Sequence, residues 1–216
     1  MTEKEKIVRL AELGTATVYE ASGKEGLIDL PLFQILPKSR VAGRARTVLC
    51  GQGDNVMVHA AIEHIQPGEI VVLAQPESEA VALVGDLLAL QMQVAGAAGM
   101  LSNGSVRDVE ELLDLGLPIW SQFIRVRGAT KDKPGRLNVP VGLGGAIIYP
   151  GDIVVMDSDG AIAVRPERLD EVLERAEARF AREEEMRVRL SQGERSYDIG
   201  GYHAQVNAYL EERGEK

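Results

Sequence analysis

The sequence predicts an α/β fold with a mixed, layered sheet, and three observations carry that reading. Strand-like segments alternate with helical ones but also follow one another in adjacent pairs, which argues against a purely doubly wound sheet. The segments PGEIVVLA, from Pro67, and PGDIVVMD, from Pro150, repeat one turn followed by a buried strand, which suggests two β layers around a shared core. A long charged helix over residues 167–190 follows the last strand and is ended by Gly193.

The elements follow in order. Residues 4–13 carry Ile7, Leu10 and Leu13 at helical spacing, and Thr15, Ala16 and Thr17 can cap a short second helix through Tyr19, Glu20 and Ala21. RVAGRARTVLC alternates β-branched and polar residues as a strand does, and runs into the turn GQGDN. Residues 55–65 read as a helix stopped by Pro67 and Gly68, and the first Pro-Gly strand follows. Then come a helix from Asp86, a strand near Met100, a helix over 109–115, and strands near 119–126 and 146–149. Residues 127–145 are punctuated by Gly and Pro and read as a long loop with a short strand. DGAIAVRP gives the last strand. The final helix has apolar positions at Leu169, Val172, Leu173, Ala176 and Phe180 and is then almost wholly charged, so its second half has little to bury against its own domain. The expected division is a core over 1–166 and a C-terminal helix and tail over 167–216 that contacts a neighbouring subunit.

Composition narrows the function. A formal net charge of -9 argues against nonspecific nucleic-acid binding, which needs clustered Lys and Arg. The single cysteine, Cys50, rules out an intramolecular disulfide and a Cys-pair zinc site; in VAGRARTVLCG it reads as a small core residue, consistent with a reducing cytosol. No run approaches the ~18 apolar residues of a membrane span, and the start has no apolar signal segment. The expected location is the cytoplasm, with no membrane partner.

The chemistry lies in VGDLLALQMQVAGAAGMLSNGSVRD, from Val84 to Asp108. Gly85 gives a tight entry and Asp86 an N-cap, leaving the N–H groups of Leu87 and Leu88 in a first turn without intrahelical acceptors. Such a turn is a ready carboxylate site, worth about 0.3–1 kcal/mol from the helix dipole; the same spacing also fits a plain capped helix. SNGSVRD puts Arg107 and Asp108 where a strand leaves the sheet, the usual position of a ligand crevice. Arg107 can bind a carboxylate or enolate oxygen, and Asp108 a hard cation, although Arg-Asp neighbours also occur as plain surface ion pairs. His59 and His64 are five apart and do not form the i, i+4 zinc pair. His59 fits a packed or surface histidine as well as a site. Lys131, Lys133 and Arg136 fit either a solvated loop or a site for distal carboxylates.

A glycine, a spacer of some twenty residues, Arg-Asp, two residues and an acid together resemble the signature of metal-dependent class II pyruvate aldolases of the 4-hydroxy-4-methyl-2-oxoglutarate / 4-carboxy-4-hydroxy-2-oxoadipate type. Counted from Gly85 the spacer is one residue off, and counted from Asp86 it agrees; Glu111 supplies the acid. The resemblance runs through ATVYEASGKEGLI, GDNVMVHAAIEHIQPGEIVV, GDLLA, LPIWS and PGDIVVMDSDG, which is most of the chain. It implies a layered β/β/α, swivelling-domain-like core. It implies retro-aldol cleavage of a 4-hydroxy-2-oxo di- or tricarboxylic acid to pyruvate and a second oxoacid, with oxaloacetate decarboxylation alongside. By the same resemblance the Leu87 and Leu88 amides hold the pyruvate carboxylate, Arg107 the keto oxygen and Asp108 Mg²⁺ or Mn²⁺. Asp86 and Glu111 orient water, and Glu20 and Glu183 reach the site from a neighbouring subunit of a homotrimer or homohexamer, with Glu184 or Glu185 as alternatives to Glu183. The same superfamily holds the regulator of ribonuclease activity A, so a non-catalytic binding protein is the competing reading. PESEAVALVG, before the motif, is more apolar than in the aldolases and bears on the distal end of the substrate.

Overall fold

A computed structural model describes residues 1–215 of the 216. These residues form two compact units, one of Met1–Ala176 and one that starts at Glu177. The first unit extends beyond residue 166 because Leu169, Val172, Leu173 and Ala176 of the last long helix are buried.

The chain begins with α1 (Glu3–Leu13) and α2 (Thr15–Ala21). A capping box between Thr2 and Glu5 starts α1. The expectation that Thr15 caps α2 is corrected. Gly14 is the cap residue, and the carboxylate of Asp157, from a distant strand, accepts the Thr15 N–H at 2.9 Å and the Thr15 hydroxyl. Two short strands, β1 (Leu27–Ile28) and β2 (Phe33–Gln34), lead into the nine-residue β3 (Val41–Leu49). Next come α3 (Val56–Ile62), β4 (Ile70–Ala74), β5 (Ala82–Val84) and α4 (Asp86–Val94). Helix α3 ends three residues before the expected stop, in a turn whose His64 N–H donates to the Ala61 carbonyl. The apolar PESEAVALVG is explained by β5, three buried residues that pair parallel with β6. Then follow β6 (Gly99–Val106), α5 (Val109–Leu115) and β7 (Ile119–Ile124). The long loop holds β8 (Arg136–Leu137) and β9 (Val141–Leu143), and β10 (Ala146–Ile148) pairs with β9 as a hairpin. β11 (Ile153–Asp157) and β12 (Gly160–Val164) complete the sheet, and α6 (Leu169–Ser191) follows.

The two Pro-Gly strands both pair with β3, on its two halves. Val41 to Arg44 pair antiparallel with β11, and Ala45 to Leu49 pair parallel with β4. The strand order is β1-β12-β11-β3-β4-β6-β7-β2, with β5 on β6 and β8 on β3. One face of the β4–β6–β7 region packs Val71, Leu73, Met100 and Ile119 against Val58, Ala89, Met92 and Leu112 of the helices. The other face packs Ile70, Val72, Leu101 and Trp120 against Val154 and Met156 of β11 and the β9–β10 hairpin. This is the layered β/β/α core expected. Trp120, on β7, is 1% exposed and donates its indole N–H to the Asp157 carbonyl at 2.8 Å.

In the second unit, the remainder of α6 is laced by ion pairs such as Arg179–Glu183, and α7 (Ser196–Ile199) and α8 (His203–Glu212) follow. No residue of α7 or α8 is buried. Neither helix was expected, because neither carries an apolar stripe. No helix among the described residues is long and apolar enough to cross a membrane.

Candidate functional site

Strands β5 and β6 run parallel with Val84 opposite Val106. Gly85 and Arg107 therefore leave the same edge of the sheet at the carboxyl ends of neighbouring strands, where crevices form in α/β sheets. Two backbone bonds fix this exit. The Arg107 N–H donates to the Val84 carbonyl and the Arg125 N–H to the Val106 carbonyl, both at 3.1 Å.

At the start of α4 the expected roles shift by one residue. Gly85 is the cap residue, Asp86 is the first helical residue, and no side chain of the preceding turn caps the helix. The reason is Asp108, whose Oδ2 lies 3.4 Å from the Asp86 N–H and occupies the place of a capping group. The first acceptor inside the helix is the Gly85 carbonyl, taken by Ala89, so the Leu87 and Leu88 amides have no acceptor among the described residues. Leu88 is anchored in the core and Leu87 is 68% exposed. Gly85 is extended, at φ -121°, so it does not supply the tight entry expected. It is needed for proximity: a Cβ there would lie 2.3 Å from Asp108 Oδ2 and 3.3 Å from the Arg107 Nε.

Asp108 sits in the left-handed region, at φ 60° and ψ 47°, in the two-residue turn between β6 and α5. Apart from glycine, few residues other than Asn and Asp adopt this conformation readily. It folds the carboxylate back toward Arg107, whose Nε is 3.4 Å from Oδ2. With side chains 49% and 36% exposed, the pair contributes little stability as an ion pair, so its arrangement serves the surface it builds.

Asp86, Leu87, Leu88, Arg107 and Asp108 share the walls of one cavity of about 260 Å³. Asn55, His59 and Lys131 line the same cavity. Asn55 carries a signal that sequence reading missed. It is 7% exposed, its amide N–H donates to the Leu83 carbonyl at 2.9 Å, and its Oδ1 is buried without a donor among the described residues. Such a group costs free energy unless something donates to it. His59 and Lys131, for which sequence reading left a surface alternative open, reach the cavity as well. Glu111 lies on the other side of the Arg107–Asp108 wall, in an open groove with Ile124, Arg125 and Val126. Glu20, on α2, lies 3.9 Å from Lys24 and lines neither recess of its own chain. Glu183 belongs to the second unit and pairs with Arg179 of its own helix at 2.8 Å. Lys133 offers its backbone, not its side chain, to this region, and Arg136 pairs in β8 with Leu49.

Around Asp108 the donors are oxygens, and among the described residues no group of three His, Cys, Asp or Glu gathers as a closed metal cage. That set fits a hard divalent cation held by one carboxylate and otherwise hydrated, since Mg²⁺ commonly keeps several waters. It does not fit a structural zinc site.

Residues 15–163 match the RraA-like family model described as Aldolase/RraA. A Halalkalibacterium halodurans protein named "Putative 4-hydroxy-4-methyl-2-oxoglutarate aldolase" is 32% identical over 145 residues, covering 67% of this chain and 69% of that protein. The solved Streptomyces coelicolor RraAS2, described as an unusual member of the RNase ES inhibitor RraA family, superposes with a TM-score of 0.77 at 28% identity, over 86% of this chain and 96% of its own. A Thermus RNA-processing inhibitor RraA gives 0.64 at 26% identity, over 70% and 92%.

Proposed function

Because the chain belongs to the RraA-like Aldolase/RraA family, we propose that it is a divalent-metal-dependent class II pyruvate aldolase. It cleaves a 4-hydroxy-2-oxo di- or tricarboxylic acid, 4-hydroxy-4-methyl-2-oxoglutarate or 4-carboxy-4-hydroxy-2-oxoadipate, to pyruvate and a second oxoacid. It decarboxylates oxaloacetate as a side activity. The observation that carries this reading is the meeting of two acceptor-free amides, a guanidinium and a carboxylate in one small cavity.

In the retro-aldol direction the bond between C3 and C4 breaks, the C4 hydroxyl passes its proton to water in the cavity and becomes a carbonyl, and the electron pair forms pyruvate enolate. The same water then returns a proton to C3, which yields pyruvate. The Leu87 and Leu88 amides bind the substrate carboxylate with the positive end of the α4 dipole. Arg107 donates to the C2 oxygen, where negative charge grows along the reaction, so its bond strengthens in the transition state. Asp108 would hold Mg²⁺ or Mn²⁺, which when bound adds Lewis-acid stabilisation of the same oxygen. Asn55 Oδ1 offers an acceptor to the C4 hydroxyl. Asp86 orients water within the cavity and Glu111 does so across the shared wall. Lys131 and His59, which line the cavity, would meet the distal carboxylate of a dicarboxylic substrate. In a homotrimer or homohexamer, Glu20 and Glu183 of a neighbouring copy complete the open side, and a cytoplasmic location suits the buried, unpaired Cys50.

The test is pyruvate release, followed with lactate dehydrogenase and NADH, from oxaloacetate and from 4-hydroxy-4-methyl-2-oxoglutarate, with Mg²⁺ and with EDTA. Metal-dependent release from both supports the aldolase. Release from oxaloacetate alone keeps the enolate site and removes the substrate. No release with any metal favours a non-catalytic protein that regulates a ribonuclease, a reading supported by the two RraA structures above, and a ribonuclease inhibition assay would decide it.

A further inference from the structure

We infer that Asp54 is a positioning residue for this site: its buried carboxylate ties residues 130–133 and the start of α3 together, and so holds Lys131 and Asn55 in the cavity they share with the Arg107 cradle. The inference rests on the pyruvate-site reading above.

Asp54 is 0% exposed and has no cation within bonding distance among the described residues; the four bonds to its carboxylate come from neutral donors. Oδ2 accepts the Thr130 hydroxyl at 2.7 Å, the Asp132 N–H at 2.7 Å and the Lys133 N–H at 3.0 Å. Oδ1 accepts the Val56 N–H at 2.9 Å. The three donors to Oδ2 come from both sides of Lys131, whose own backbone is left out, and Lys131 lines the cavity. Backbone bonds reinforce the grip: Thr130 N–H to the Gly53 carbonyl at 2.9 Å, and Asn55 N–H to the Thr130 carbonyl at 3.0 Å. The segment lies flush on the chain leaving β3, since a Cβ at Gly51 would fall 2.0 Å from the Lys133 carbonyl. One carboxylate thus ties together the two backbone segments that carry Asn55 and Lys131. Only an ionised carboxylate suits the position, because it accepts at both oxygens and donates at neither. An asparagine would set an N–H₂ against an N–H.

A carboxylate kept only for folding would show the same four bonds, so the test must separate positioning from stability. The variants are Asp54→Asn, Lys131→Ala, their double mutant, and Thr130→Val as a milder change that removes one bond. Hydrogen exchange is measured over residues 128–135, and kcat and KM over oxaloacetate and the hydroxy-oxoacid. The expected result has three parts. Exchange in 128–135 rises at least ~10-fold in Asp54→Asn while β4 and β6 stay protected. kcat/KM falls roughly 10- to 100-fold through misplacement of the far wall. In the Lys131→Ala background the further loss from Asp54→Asn shrinks to a factor of about 3, because coupled residues are not additive. Thr130→Val shifts exchange and KM in the same direction by less. Unchanged exchange, or full additivity of the two substitutions, overturns the inference. A wild-type chain that releases no pyruvate rejects the proposed function instead, and the exchange arm still decides whether Asp54 holds the segment.

Discussion

The two walls of the cavity are built by different means. The near wall, with the Leu87 and Leu88 amides, Arg107 and Asp108, hangs directly from the ends of β5 and β6, and its parts lie within one short stretch of sequence. The far wall, with Asn55, His59 and Lys131, comes from a helix start and a strandless loop brought together by the buried carboxylate of Asp54. The first is held by the sheet, and the second by one side chain satisfied four times together with a few backbone bonds. On the proposed function, the groups that bind the pyruvate half stand on the first wall, and those that would meet the rest of the substrate on the second.

That division can be broken most severely from the near wall. Arg107→Ala is expected to lower kcat by about 10³-fold, with a melting transition close to wild type because the side chain is half exposed. Steady-state assays beside calorimetry check both halves, and a near-wild-type rate would remove Arg107 from the site. Gly85→Ala comes next. Its Cβ would meet Asp108 Oδ2 at 2.3 Å, so the carboxylate must swing out; the expected loss is roughly 10²-fold in kcat with weaker Mg²⁺ activation, read from metal titrations of the rate.

The far wall should yield to acid. Burial alone would raise the Asp54 pKa, but the bonds from Val56, Thr130, Lys133 and Asp132 outweigh it and hold the carboxyl well below the usual carboxylate range. A depressed folded pKa contributes stability that is fully present above the unfolded value, near 3.8, and is lost as pH falls toward the folded one. Exchange protection of residues 128–135 should therefore be flat from neutral pH down to about 4 and decline only below it. A decline already between pH 6 and 5 would mean that another group holds the segment. The smallest effect concerns Cys50, whose thiol is pushed up to about 12, first by burial and then by the charge of Asp54. Thiol reagents at pH 8 should leave it unmodified in the folded chain and react fully in denaturant. Asp54→Asn should speed native labelling only modestly, since the charge is the lesser cause.

The same contrast explains what the sequence disclosed. The near wall was legible because Asp86, Leu87, Leu88, Arg107 and Asp108 stand close along the chain and their spacing carries helix and strand signals. Even there, the roles of Gly85 and Asp86 shifted, because Asp108 reaches back across 22 positions to the start of α4. The far wall was not legible. Asp54 binds residues 76 to 79 positions away, and no local pattern marks a carboxylate chosen for such partners. Asn55 looked like an ordinary helix start until its Oδ1 proved buried and unpaired. In the fold, the Pro-Gly strands announced themselves by composition. That both would lean on β3 was hidden, as was the capture of the α2 start by Asp157, since register is set by contacts between segments.

The sharing of β3 between two neighbours also bears on errors during assembly. A slip by one residue would turn every side chain of β3 to the wrong face, and because β11 grips its first half while β4 grips its second, the mistake would be felt in both layers at once. No partial correction is open to the chain, in which one layer settles while the other stays misaligned. A single strand thus acts as a proofreader for the whole core, and the layers should gain and lose their order together.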